Sequence, residues 1–299
     1  MRGDLMSMPS SIPFQKKNLS EVSTFLIGGE CPYFVEVRTV ELLQQVFQFI
    51  RDTHLPYYIL GKGSNTIFDD RGFYGVVILN KLDQFFMEEN EVRVGSGYSF
   101  SLLGTRLSRQ GLSGLEFASG IPGTVGGAVF MNAGAGGQET KDPLVDVDYL
   151  HLSGERSTYL KNDLQFAYRH SPFQDHKGMI IAARFKLTPS PSAKQDQRAL
   201  IEYRMKTQPY KDPSAGCIFR NPLEGSAGAL IDQCKLKGLR VGGAEVSSLH
   251  ANFIVNVGQA TQQDVLDLAK KVQQEVAHIT GVHLSLEARF IDVEGHCLN

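Results

Sequence analysis

An α+β fold of three modules is what this sequence predicts, and three observations carry the prediction. Short apolar runs with a period of two alternate with a few longer runs at helical spacing. Glycine and proline punctuate them, most sharply at Pro189 and Pro191. At 299 residues the chain is long enough for two or three modules, each with its own core.

Residues 1–17 read as a flexible leader, with Pro9 and Pro13 among serines. The first module spans 18–80. Tyr33–Val37 reads as a strand, and Thr39 caps a helix with Leu42, Leu43, Val46, Phe47 and Ile50 on one face. Tyr57–Leu60 and Gly75–Leu79 are further strands. The second module, 81–191, opens with the alternating Val92–Gly97. Ser99 then caps a helix with Phe100, Leu103 and Leu107 inward and Gly111 at its end. Leu144–Leu152 is a half-buried strand turning at Ser153-Gly154-Glu155, and Met179–Leu187 is the last strand of the module. The third module, 192–299, starts with a polar helix from Ala193 to Thr207. A second helix is expected from Ser226 to Lys237, with Gly238 as its stop. A strand follows over Ala251–Asn256. Thr261 and Asp264 cap a helix carrying Val265, Leu268, Ala269, Val272, Val276 and Ile279, with Gly281 beyond it. Leu284–Ile291 reads as a closing strand.

Glycine crowds the stretch Gly114–Gly137, whose only charged residue is Glu116. Such crowding gives up backbone entropy and is tolerated where the backbone turns to positive φ or approaches another group closely. Pro122 suits a first helical turn, and Gly123, Thr124, Gly126 and Gly127 leave the following N–H groups open to an anion. Upstream, the strand Tyr57–Leu60 runs into Gly61-Lys62-Gly63-Ser64-Asn65, where Lys62 adds charge. Each loop alone also reads as a glycine-rich turn within the core. Neither has Walker A or G-x-G-x-x-G spacing. Together they point to a long dinucleotide held at more than one place.

Composition narrows the field. Thirty Lys and Arg against 32 Asp and Glu give a net charge of −2, with no basic run for nucleic acid. No segment approaches a spanning helix, and the N-terminus lacks a signal-peptide core, so a cytoplasmic protein without membrane insertion is expected. Cys31, Cys217, Cys234 and Cys297 form no C-x-x-C pair, which predicts neither disulfides nor a metal site.

Three polar residues stand out from their contexts. Arg169, after Tyr168 and before Ser171-Pro172-Phe173, either clamps a carboxylate or steadies an enolate, or is a surface arginine paired with an acid. Cys217, between small residues and Ile218-Phe219, is a core thiol or a proton donor, since an ordinary thiol is mostly protonated at neutral pH. Glu287 shares a strand face with Ser285 and Arg289. It is therefore an edge carboxylate in an internal ion pair, or a buried one assisting proton transfer.

Six blocks occur in order: Gly61–Asn65; Ser119-Gly120-Ile121-Pro122-Gly123-Thr124-Val125-Gly126-Gly127 with Asn132-Ala133-Gly134; Tyr168-Arg169; Ala215-Gly216-Cys217-Ile218-Phe219-Arg220-Asn221-Pro222; Ala229–Asp232 with Leu236-Lys237-Gly238; and Glu287-Ala288-Arg289-Phe290. Together they resemble the UDP-N-acetylenolpyruvoylglucosamine reductases of peptidoglycan synthesis, over roughly residues 18 to 293. The resemblance implies a two-part FAD-binding region of vanillyl-alcohol-oxidase (PCMH) type and a C-terminal α+β substrate domain. It implies FAD as cofactor and NADPH as hydride donor, with reduction of UDP-N-acetylglucosamine enolpyruvate to UDP-N-acetylmuramate. The family's site falls here on Arg169 at the substrate carboxylate, Cys217 as proton donor and Glu287 as its assistant. FAD contacts fall on Gly61, Lys62, Gly63, Ser64, Asn65, Ser119, Gly120, Ile121, Pro122, Gly123, Thr124, Gly126, Gly127, Asn132 and Gly134. Substrate contacts fall on Tyr168, Arg204, Lys206, Arg220 and Asn221.

The chain departs from the family in three places. Cys217 stands where many relatives carry serine, Gly136 where tyrosine is frequent, and no tyrosine-bearing lid insertion follows Phe185. A monomer acting on small molecules is expected. Two other readings are an FAD-dependent oxidase or dehydrogenase of another small substrate, and a silent flavin-binding protein. The third module argues against the first, and retention of Arg169 and Glu287 against the second.

Overall fold

The computed structural model describes residues 11–298, and the outer part of the expected leader, residues 1–10, lies outside them. Its inner part is not a leader. Ile12 is buried, and Gln15–Asn18 forms an edge strand antiparallel to Glu30–Val37. Val76–Asn80 lies next in that sheet and Tyr57–Leu60 beyond it, both joined in parallel. Helix α1 (Val40–Thr53) covers the sheet with Leu43, Val46, Phe47 and Ile50. It starts where Thr39 accepts the Leu42 N–H at 3.2 Å.

The second sheet is antiparallel throughout, in the order 156–160, 144–151, 178–186, 91–95, 85–88. Helices α2 (Phe100–Arg109) and α3 (Val125–Phe130) pack on it through Phe100, Leu103, Leu107, Val125 and Val129. Only residues 187–192 link this sheet to α4 (Ala193–Thr207), so nothing here forms a lid. Although α4 follows the proline boundary, it lies against the second module. Leu200 joins that module's core, and the Tyr210 hydroxyl donates to the Gly120 carbonyl at 2.8 Å.

A third antiparallel sheet runs 214–217, 253–256, 244–246, 240–241. It is covered by α5 (Ala227–Gln233) and α6 (Gln262–Thr280), with Ile231, Val265, Leu268, Val272 and Val276 inward. Three expectations change here. α5 stops short of Lys237 because Lys235 turns to φ +58°, a left-handed conformation that breaks the helix. Ile279 is 53% exposed, at the end of α6 beyond the reach of the core. The closing strand is only Arg289–Ile291. The preceding residues instead zip onto the Cys217 segment, with the Arg220 N–H donating to Ser285 O at 2.9 Å and the Glu287 N–H to Ile218 O at 2.7 Å.

At that point the chain changes partners. Arg289–Ile291 pairs in parallel with Thr66–Phe68, the segment that follows the first glycine loop. The Gln262 side chain, buried at the start of α6, donates to Ile67 O at 2.8 Å and to Ile291 O at 3.0 Å. The last module is thereby fastened to the first.

Candidate active site

The first glycine loop leaves the strand Tyr57–Leu60 and turns at Gly63, whose φ is +66° and where a Cβ would lie 2.4 Å from Val22 O. Only glycine fits there. The second loop faces it: a Cβ on Gly61 would meet Thr124 Oγ1 at 2.7 Å, and one on Gly123 would be 3.7 Å from Ser64 Oγ. Among the described residues, the N–H groups of Gly61, Lys62, Gly63, Ser64, Asn65, Gly123 and Thr124 donate to no protein acceptor. Lys62 Nζ donates to Ser99 Oγ at 2.8 Å, and burial, with Lys81 nearby, holds its pKa below the usual value. A row of unpaired amides beside a lysine fits a diphosphate.

The anion site differs from the expected one. α3 begins only at Val125, so Pro122 lies outside it. The amides expected to be open along its first turn are closed: Val125 N donates to Tyr98 O at 2.9 Å, Gly126 N to Ser96 O at 2.8 Å and Gly127 N to Thr124 Oγ1 at 3.3 Å. Gly126 is there for packing, since its Cβ would stand 2.9 Å from Ser96 Cβ. Ser119 Oγ is buried without a partner. Gly120 accommodates the Arg204 side chain, whose Cδ a Cβ would meet at 2.4 Å.

Asn132 is fully buried at φ +42°, and protein groups occupy its side chain. Its Nδ2 donates to Ala167 O at 2.9 Å and its Oδ1 accepts the Lys141 N–H at 3.1 Å. It supports the turn Ala167–His170, on which Arg169 sits at φ +56°. A left-handed arginine costs about 1–2 kcal/mol, a strain that the turn holds in place.

From this turn Arg169 Nε donates to Glu287 Oε1 at 2.8 Å, with the two side chains 17% and 15% exposed, and Nη2 donates to Gly134 O at 3.2 Å. Arg169 Nη1 and Glu287 Oε2 take no protein partner among the described residues. Burial raises the Glu287 pKa against the pull of Arg169 and Arg220. Burial works against the Arg169 charge, but Glu287 and Tyr168 more than offset it, so the guanidinium stays a cation.

Cys217 ends the strand Ser214–Cys217, opposite Phe253. Burial, with Glu287 adding to it against Arg169 and Arg204, pushes the thiol pKa up to about 12. The group is an S–H at physiological pH, suited to giving a proton and unsuited to nucleophilic attack.

Of the expected substrate contacts, Tyr168 and Asn221 meet, the Asn221 N–H donating to Tyr168 Oη at 3.3 Å. Arg204 Nε donates to Tyr210 Oη at 3.0 Å over the glycine stretch. Arg220 sits near Glu287, with Nε buried and unpartnered. Lys206 is exposed, about 200° round the helix from Arg204, and is not brought to the centre. Tyr210 and His250 escaped the sequence reading. Burial, together with Lys237 and Arg204, keeps the His250 pKa low, and its Nδ1 accepts the Asn252 N–H at 3.2 Å. An aromatic directly after Gln208-Pro209 was the one available signal for Tyr210.

Residues 208–291 match the family model described as UDP-N-acetylenolpyruvoylglucosamine reductase, C-terminal domain, and residues 31–158 match an FAD binding domain. A UDP-N-acetylenolpyruvoylglucosamine reductase of Protochlamydia amoebophila is 54% identical over 95% of this chain and 97% of its own length. One of Chlamydia muridarum is 47% identical over 95% and 97%. The crystal structure of the Thermus caldophilus enzyme superposes with a TM-score of 0.80 at 38% identity, covering 93% of this chain and 99% of that one.

Proposed function

The chain belongs to the UDP-N-acetylenolpyruvoylglucosamine reductase family, and from that premise we propose how its own residues divide the work. It reduces UDP-N-acetylglucosamine enolpyruvate to UDP-N-acetylmuramate for peptidoglycan synthesis, with FAD as cofactor and NADPH as reductant. Bound FAD would supply the hydride chemistry that couples NADPH to C3 of the enolpyruvyl group. The open amides of Gly61–Asn65 and Gly123–Thr124, with Lys62, hold the cofactor's diphosphate. Ser119, with its unpartnered hydroxyl, is a further donor on the same wall.

Arg169 receives the substrate carboxylate on Nη1 and stabilises the negative charge that spreads over the carboxylate as C2 becomes carbanionic. Cys217 donates its S–H proton to C2. A thiol with a pKa near 12 yields a proton only to a strong base, and an enolate carbon is one. Glu287 fixes Arg169 through Oε1 and keeps Oε2 free to assist that proton transfer. Tyr168, Arg204 and Asn221 are the contacts we assign to the remainder of the substrate.

The single observation behind these roles is the 2.8 Å Arg169–Glu287 pair drawn together with a half-buried, protonated Cys217. We place the protein in the cytoplasm, where NADPH is the reducing coenzyme, and among the described residues no helix is long and apolar enough to cross a membrane. We read it as a monomer, because one chain supplies all three reactive groups. We keep the division at 80/81 and 191/192 as domain limits, with α4 docked across the second.

Anaerobic stopped flow tests the reading. NADPH should bleach the oxidised-flavin absorbance, and the enolpyruvyl substrate should restore it. Recovery of colour with oxygen but not with that substrate overturns the assignment of roles.

A further inference from the structure

Arg220 is a half-buried arginine, with its Nε enclosed, that the mechanism above does not use. It lies on the segment after Cys217, where Phe219 and Leu286 form an antiparallel bridge and the Arg220 N–H donates to Ser285 O at 2.9 Å. With Ser285 opposite Arg220, Glu287 is its diagonal neighbour on the same face, a placement that in paired strands separates Cβ atoms by about 7–8 Å. Long side chains at that spacing are within reach of each other; no salt bridge forms between these two, but Glu287 feels the charge of Arg220. Among the described residues the Arg220 guanidinium donates to no protein acceptor, and its Nε is buried without a partner. An arginine kept to tie down the backbone would use its N–H groups.

We propose that Arg220, rather than gripping the nucleotide, is a positioning residue whose half-buried guanidinium gives Glu287 a second positive counter-charge. The proposal rests on the reading above and deepens it. Arg169 is the contact partner of Glu287, but it has a second anion to serve once the substrate carboxylate arrives on Nη1. Arg220 keeps the carboxylate compensated while Arg169 is shared between the two.

The test is a carboxyl titration of the FAD-loaded enzyme labelled with ¹³C at the glutamate side chain, the Glu287 signal being identified by its loss in Glu287→Gln. Removing a cation disfavours the charged carboxylate, so Arg220→Gln should raise the Glu287 pKa by about one unit, a tenfold tighter proton. Arg220→Lys should stay near wild type. UDP affinity, measured calorimetrically, should change less than about twofold in both. An unmoved Glu287 titration in Arg220→Gln overturns the proposal, as does a loss of UDP binding of about tenfold or more. If Arg220→Gln does not retain flavin, Arg220→Met submitted to the same titration decides. Failure of the wild type to be reoxidised by the enolpyruvyl substrate would instead strike the functional reading and leave the titration to stand alone.

Discussion

At Cys217 burial decides the chemistry, because the cost of a thiolate in that wall exceeds the help it gets from Arg169 and Arg204. Cys217→Ser keeps a protic donor and should preserve turnover. Cys217→Ala should leave flavin reduction by NADPH intact and slow reoxidation by substrate by about 10²–10⁴, read in the two halves of the stopped-flow trace. The elevated pKa also predicts slow alkylation. At pH 8 iodoacetamide should modify Cys217 roughly 10³-fold more slowly than free cysteine, rising about tenfold per pH unit toward pH 12, as peptide mass spectrometry would show. An odd local context singled out Arg169, Cys217 and Glu287 in the sequence but left a structural reading open for each, and only the family resemblance gave them roles. Their pairing was not legible. A period of two set Glu287 beside Arg289, yet the strand begins only at Arg289, whose guanidinium lies 5.3 Å from the Phe130 ring centre while Glu287 turns to Arg169. The missing information is a contact between residues more than a hundred positions apart, which no local pattern encodes.

Elements with a cap written into them were the readable ones. Thr39, Ser99 and Thr261 each accept an N–H from their own helix's first turn, and Thr261 with Asp264 completes a capping box. Thr261→Ala should therefore cost about 1 kcal/mol in urea unfolding. Gly281 ends α6 at φ +75° with open space where a Cβ would stand, so Gly281→Ala should cost about 1 kcal/mol through backbone conformation alone. Strands of two or three residues, such as Arg240–Val241 and Ala244–Val246, carry too few alternations to be seen without their partners. The glycine stretch was read as a ligand wall, and only part of its expected open amides are open. The carbonyls of Ser96 and Tyr98, delivered by another part of the module, satisfy the turn at Val125 and Gly126, and the unpaired donors are those of the first loop together with Gly123 and Thr124.

For the molecule as a whole, Gln262 is the fastening. Gln262→Ala removes two buried hydrogen bonds, while Ile291 O keeps the Asp69 N–H, so the loss should be about 1–3 kcal/mol. Denaturant unfolding followed by tryptophan-free probes, tyrosine fluorescence and flavin release, should show both signals shifting together, since the strand after the first glycine loop is held by the same side chain. The three-module reading did not anticipate this closure, because Thr66–Phe68 carries no sign of where its partner lies. That pairing also sets a schedule for biosynthesis. Thr66–Phe68 has its one sheet partner about 220 residues downstream, and at ribosomal speed those residues take on the order of 10 to 40 s to be made. The loop to which we assign the cofactor's diphosphate is thus finished last although it is translated early. A ribosome-bound nascent chain should therefore remain colourless until Arg289–Ile291 has left the exit tunnel, so flavin uptake waits on translation of a strand far from the loop it completes.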